Sequence, residues 1–162
     1  MTVKKKVMAK PTNKFSSLYL AVFIFTLNCG DALNITGITE TNEVANLIGN
    51  IDENDWCPQQ NGTGVVGYGM RPAYPNPTNG SIQLPYQIVK QTRVKLQIIN
   101  KHKKVVRLLV DERQAAGHQI VTWDLRDDNG DKVKNGCYRA QFFLDGEFKC
   151  HGDIQVIKIV TR

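Results

Sequence analysis

Between Arg93 and Asn100, Val94, Leu96 and Ile98 alternate with Lys95 and Gln97. A two-residue period places the apolar set on one face of an extended strand and the polar set on the other, whereas a helix would scatter both. The same texture recurs along the C-terminal half. Lys101 to Lys104 make a polar turn, Val105 to Val110 is a more continuously apolar strand, and Gly117 opens another in which Gln119, Val121 and Trp123 alternate with His118, Ile120 and Thr122. Asp127, Asp128, Asn129 and Gly130 form a strong turn signal, because Asp and Asn side chains satisfy local amides and Gly accepts positive φ. A closing hairpin is expected from about Cys137 to Leu144 and from Glu147 to Val160, joined by Asp145-Gly146, the dipeptide suited to a type I′ turn. Tyr74 to Gly80 is a rigid, turn-rich entrance. With Ser81 to Ile88 split from that entrance and a short paired Lys132–Val133 stretch, the count is about seven strands. The one segment with helical colour, Asp111 to Ala116, reads as a turn ended by Gly117. Residues 74–162 therefore predict an all-β antiparallel sandwich.

Charge and hydropathy set the N-terminus apart. The formal net charge is +6, but Lys4, Lys5, Lys6, Lys10 and Lys14 crowd the first fourteen residues. Without residues 1–32, which carry those five lysines and Asp31, 16 basic side chains face 14 acidic ones, a net of +2. The basicity belongs to a targeting segment, and no stacked aromatic and basic stripe supports a nucleic-acid partner. Lysines, an apolar run from Leu18 to Leu27, then small and polar residues make the three-part layout of a secretory signal. The run is shorter than the roughly twenty apolar residues a membrane helix needs. Cleavage after Ala32 is one expected outcome. Cleavage before Cys29 with lipidation there is the other, and it would add a lipid anchor as the only further membrane contact.

Residues 33–73, rich in Asn, Thr, Gly and Asp, show no sustained periodicity and read as a flexible linker. Within it Asp52, Glu53 and Asp55 stand beside Trp56, an arrangement open to reading as a calcium loop or an interaction peptide. No glycine follows at EF-hand spacing and no distal glutamate closes the ligand set, so the favoured reading is an acidic solvated turn with Trp56 docked on the domain. The cysteines are Cys29, Cys57, Cys137 and Cys150. If Cys29 is removed or lipidated, three remain, and one thiol should be free or intermolecular. No Cys-x-x-Cys pair marks a metal site, and Cys137 and Cys150 read as small buried hydrophobes. A two-residue turn at Asp145-Gly146 would set Cys150 opposite Gln141 and Cys137 opposite Ile154. The two cysteines would then share a face but stand roughly 13 Å apart, too far to be bonded to each other.

Tyr74-Pro75-Asn76-Pro77, the GHQIVTWD run from Gly117 to Asp124, RDDNG from Arg126 to Gly130 and VKNGCY from Val133 to Tyr138 together resemble the Ig-like domain of the flagellar hook-capping (FlgD-type) family. That domain is similar to C-terminal sorting domains of type IX secretion cargo. The resemblance covers residues 74 to about 160 and implies an immunoglobulin-like sandwich with a sorting or docking role. Trp123 is expected as a core plug, Asp124 and Asp127 as caps of turn amides, Gly130 and Gly136 at positions where a side chain would clash, and Tyr138 as a buried ring with a wet hydroxyl. Lys103 and Lys104 occupy a turn where relatives usually carry glycine.

Catalysis is not expected. His102, His118 and His151 lie in separate segments, and there is no Gly-x-Ser-x-Gly elbow or His-Glu-x-x-His. No cofactor and no metal is expected. The expected function is an exported cell-surface or secreted module that engages sorting machinery or another envelope protein. A structural scaffold related to hook capping, or a small surface lipoprotein, is the alternative.

Overall fold

The computed structural model describes Leu33, residues 35–57 and residues 68–157. The expected signal segment with Cys29, and the last five residues, lie outside the described residues. Among the described residues there are seven strands: β1 (Tyr68–Met70), β2 (Ile82–Ile88), β3 (Thr92–Asn100), β4 (Val105–Gln114), β5 (Gly117–Trp123), β6 (Gly136–Leu144) and β7 (Glu147–Val156). They form a three-stranded sheet ordered β1-β2-β5 and a four-stranded sheet ordered β4-β3-β6-β7, with every pair antiparallel. In immunoglobulin lettering the sheets read A-B-E and C′-C-F-G.

Alternation builds the core. Ile82, Leu84, Tyr86 and Ile88 of β2, Val94, Leu96 and Ile98 of β3, and Tyr138, Ala140, Phe142 and Leu144 of β6 all point between the sheets. Pro85 is tolerated in β2 because its carbonyl accepts from the Arg71 amide, so its missing N–H falls on the same side, past the end of short β1. Trp123 fills the middle with no exposed surface. Its indole donates to the Arg126 carbonyl at 2.8 Å, and its ring meets Tyr138 edge-on at 5.4 Å. The Tyr138 hydroxyl donates to the Lys134 carbonyl at 2.8 Å, a tyrosine corner at the start of the sixth strand.

The Tyr74-Pro75-Asn76-Pro77 entrance is a strand changing sheets. Tyr74 exchanges backbone hydrogen bonds with Gln83 of β2, while Thr78 donates to Gln155 and accepts from Ile157 along β7. The two prolines, which offer no amide to a ladder, sit where the chain leaves one sheet for the other. Asp127 caps its turn as expected: one carboxylate oxygen accepts from Asn129 at 3.0 Å and from Asp131 at 2.9 Å. Asp124 does the same more weakly for Arg126, at 3.2 Å. Glycine is needed at Gly130 for the positive φ expected of its turn, and at Gly136 for the same reason, not to avoid the clash expected at both. A side chain there would meet nothing within 4 Å, but φ is +89° and +144°.

Five further expectations need correction. The described part of residues 33–73 is not a free linker: Leu33 and Ile35 pack on Ile99, Trp56, Cys57, Met70 and Ala73 enter the main core, and β1 belongs to the sandwich. Lys132–Val133 contributes only an isolated bridge, so β1 is what completes the seven. Asp111 to Gln114 continue β4 instead of turning, paired to Thr92–Lys95, with Arg93 held to Asp111 at 2.8 Å. Asp145 and Gly146 both have positive φ, as a type I′ turn requires, but a bulge between Phe142 and Phe143 shifts the hairpin by one residue. Cys150 therefore faces Phe142, Cys137 faces Gln155, and the two cysteines lie on opposite faces of the sheet. Neither is a free thiol. Cys150 is bonded to Cys57, Cys137 is likewise in a disulfide, and no described cysteine is free.

Replacing Trp123 with alanine removes the largest fully buried side chain and should cost about 3–5 kcal/mol in denaturant unfolding. An unchanged midpoint would show that the ring is not the core plug.

Candidate functional site

The expected motif residues are distributed through the fold and do not converge on a pocket. Tyr74, Pro75, Asn76 and Pro77 make the sheet change, while Trp123, Asp124, Asp127, Gly130 and Tyr138 form the corner beside it. Gly117 opens β5 and Gly136 opens β6. Among the described residues, the side chains brought together with chemical potential are others: Asp55, Arg139, His151 and Asp153.

They meet along one edge of the sandwich. β7 and β1 are edge strands of different sheets, and residues 55–57 run between them: the Trp56 amide donates to the His151 carbonyl, and the Cys57 amide to the Met70 carbonyl at 3.1 Å. The Cys57–Cys150 disulfide fixes this connector to β7, with Cα atoms 5.4 Å apart. Trp56 lies over Gly152, where an added Cβ would come within 2.2 Å of the ring. Because strand side chains alternate, Cys150, Gly152 and Ile154 face the interior and His151 and Asp153 face out, toward Asp55. Upstream, Asp52 organises the turn, accepting from the Thr36 hydroxyl at 2.6 Å and the Asn54 amide at 2.9 Å. The Thr36 bond is the main reason its carboxyl sits below the ordinary value.

Asp153 is almost fully buried and is gripped by Arg139 through two bonds of 2.7 and 2.8 Å. Arg139 also donates to the Leu33 carbonyl at 3.1 Å, tying the first described residue to the sheet. Asp55 is only 7% exposed, yet neither carboxylate oxygen has a hydrogen-bond partner. Burial pushes its carboxyl up to about 8, and the Asp153 carboxylate adds to the rise. The Asp153 amide pulls the other way without reaching hydrogen-bond geometry, and Arg139 helps it weakly. His151 is shifted down, first by burial and then by Arg139, so its ring stays neutral near pH 7. Ligand atoms of Asp55, His151 and Asp153 all lie within 4.8 Å of one another, beside a cavity of about 300 Å³. A neutral imidazole with two carboxylates can hold a cation or share a proton. Cys137 stands opposite Gln155, not His151, and is in a disulfide, so it is no free thiol beside the histidine.

Trp56 docks as expected, but the acidic turn is not wholly solvated, since Asp55 is buried. Asp55 and Asp153 stand 98 residues apart in the sequence, and no local pattern joins them. The visible signal is in β7, where His151-Gly152-Asp153 interrupts a strand otherwise suited to apolar packing.

No protein-family model and no curated protein matches the sequence. Among solved structures the chain is similar to one described as "X-ray Crystal Structure of a Putative Lipoprotein from Bacillus anthracis". That similarity is distant: the TM-score is 0.39 and the identity 10%, over 67% of this chain and 87% of the other.

The raised Asp55 carboxyl predicts a pH dependence. Its ordinary value is 3.8 and its folded value about 8, so between them the folded state holds a proton that the unfolded state has released. Its contribution is fully present below about pH 3.8 and is lost as pH rises through about 8. His151, shifted down, acts in the opposite sense only below its ordinary 6.5, and Asp52 only below about 3.8. In chelator-containing buffer from pH 6.5 to 8, stability should therefore fall by up to about 1.4 kcal/mol per pH unit relative to Asp55→Asn. Parallel urea unfolding of the two proteins checks this, and identical pH profiles would contradict it.

Proposed function

We propose that the chain is an exported, non-catalytic Ig-like module that is sorted to, or docks at, the bacterial cell surface through protein–protein contact. The observation that carries this reading is a rigidly mounted apolar loop. Val44, Leu47 and Ile48 are 71, 54 and 61% exposed on the excursion between Glu40 and Asn50, whose base is closed by Glu40–Asn50 and Glu40–Ile48 backbone bonds, and Ile51, 60% exposed, follows directly after it. Large apolar side chains grouped on one surface mark contact sites more often than they serve solubility. The loop is anchored below by Thr41, which exchanges backbone bonds with Asn76, so its apolar surface is presented on a fixed frame.

The disulfide supports export, because such bonds persist in oxidising compartments. The motif residues support the type IX sorting family as the relative, since they are committed to corner and turn hydrogen bonds that maintain a fold. The absence of catalysis is part of the proposal: His102 and His118 lie far along the chain from the Asp55–His151–Asp153 cluster, and neither joins it. The partner is sorting machinery or another envelope protein, not nucleic acid. Membrane contact is confined to the signal segment or to a lipid on Cys29.

Fractionation of the native host with mass spectrometry of the mature termini tests the reading. Chain beginning near Leu33 or at acylated Cys29, found in the envelope or medium, is expected, and intact Met1 on cytoplasmic protein would refute export. In the same host, a reporter behind residues 1–32 should remain inside the outer membrane, while one carrying residues 1–162 should reach the surface. Leu47→Glu with Ile48→Glu should reduce surface delivery without changing stability by more than about 0.5 kcal/mol. Equal delivery of all three reporters would remove the sorting role.

A further inference from the structure

We propose that Asp55, His151 and Asp153 form a binding site for one first-row divalent cation of the zinc type, which clasps the connector before Trp56 onto β7. Three features converge on this. The donors are one imidazole nitrogen and two carboxylates, a set suited to zinc and its neighbours; calcium would want six to eight oxygens. Their ligand atoms already lie within 4.8 Å of one another. Metal–ligand bonds of about 2.0–2.2 Å in tetrahedral geometry place such atoms roughly 3.3–3.6 Å apart, so closure needs a movement of up to about 1.5 Å.

The third feature is Asp55 itself. It is 7% exposed, and both of its oxygens lack a hydrogen-bond partner. A buried carboxylate normally recruits donors, and one left without them is costly unless an ion completes it. A proton would neutralise the group but leave its acceptor oxygens unmet, whereas a cation satisfies both demands. Turning Asp55 toward His151 and Asp153 breaks no side-chain hydrogen bond.

Arg139 fits the role of an outer partner. Its fork holds Asp153 at 2.7 and 2.8 Å and fixes that carboxylate's orientation, as hydrogen-bonded second partners do around metal ligands. Once Asp55 has given up its proton to solvent, the three carboxylates of Asp52, Asp55 and Asp153 against one Arg139 guanidinium leave a net charge of −2 that a divalent ion balances. The adjoining cavity of about 300 Å³ has room for a water as fourth ligand. The ion would join the connector to β7 beside the Cys57–Cys150 bond, as a second and reversible fastening.

The untagged, oxidised full chain, stripped with chelator, is titrated with Zn²⁺ at pH 7.5 by calorimetry, with thermal melting in parallel. One-to-one binding and a melting temperature that rises with Zn²⁺ are expected. Asp55→Asn, close to isosteric, should keep its near-ultraviolet dichroism and lose at least about tenfold in Zn²⁺ affinity, because even outer partners are typically worth 10–100-fold. His151→Gln should do the same, while His102→Gln and His118→Gln bind like the parent. Co²⁺ should give a visible d–d band in the parent that is absent from both ligand variants. Absence of stoichiometric binding, or Zn²⁺ affinity unchanged in folded Asp55→Asn and His151→Gln, would overturn the proposal.

Discussion

The side-chain amide of Asn76, wholly buried, makes three backbone hydrogen bonds to two other parts of the chain. Its nitrogen donates to the Thr39 and Asp153 carbonyls, each at 2.9 Å, and its oxygen accepts from the Gln155 amide at 3.0 Å. Its own backbone exchanges bonds with Thr41. One residue thus joins the N-terminal segment, the sheet-changing entrance and the last strand. Leaving such a group unmet inside a protein costs about 1–3 kcal/mol, so each segment is held where the amide needs it. The position of Asp55 over β7 and the firm base of the apolar loop both follow, because both belong to the segment that Thr39 and Thr41 tie down.

The Cys57–Cys150 bond adds to this from the side of the unfolded chain. It spans 93 residues, and closing a loop of that size in the denatured ensemble corresponds to roughly 4–5 kcal/mol on loop-entropy arithmetic. The sandwich is small and one of its strands, β1, has only three residues, so a contribution of this size is a large part of ordinary domain stability. The bond also lets a segment without secondary structure of its own serve as a wall of the core. Trp56 and Cys57 then bury apolar surface that β1 is too short to cover.

Much of the fold was legible because strands that face a core write their alternation into the sequence. The alternation of Val94, Leu96 and Ile98 and the Asp145-Gly146 turn are read from residue type, and the burial of Trp123 and the Tyr138 ring is expected with the family resemblance. What escaped lacked that signature. Residues 35–57 are held by backbone bonds and irregular contacts, which impose no period, and β1 carries Gly69 between its two other residues. Asp111 to Gln114 have helical propensity, but pairing with β3 overrides it. The bulge at Phe142 leaves no mark in composition, yet it decides which face each hairpin cysteine occupies. The Asp55–His151–Asp153 cluster was missed for a related reason: it is assembled from residues 98 apart in the sequence, and only the His151-Gly152-Asp153 run, with a glycine small enough to admit the Trp56 ring, hints at it locally.

The cover along β7 has a consequence for how copies of this protein meet one another. An uncovered final strand would offer a row of free amides and carbonyls to any neighbouring chain, the usual route to strand-to-strand aggregation. Here the Trp56 amide occupies the His151 carbonyl, and Thr78 bonds to Gln155 and Ile157 farther along. The outer strand of the opposite margin, β4, ends in exposed Asp111, Glu112 and Arg113, charges that discourage the same pairing. Both margins of the four-stranded sheet are thereby closed to the addition of a further strand.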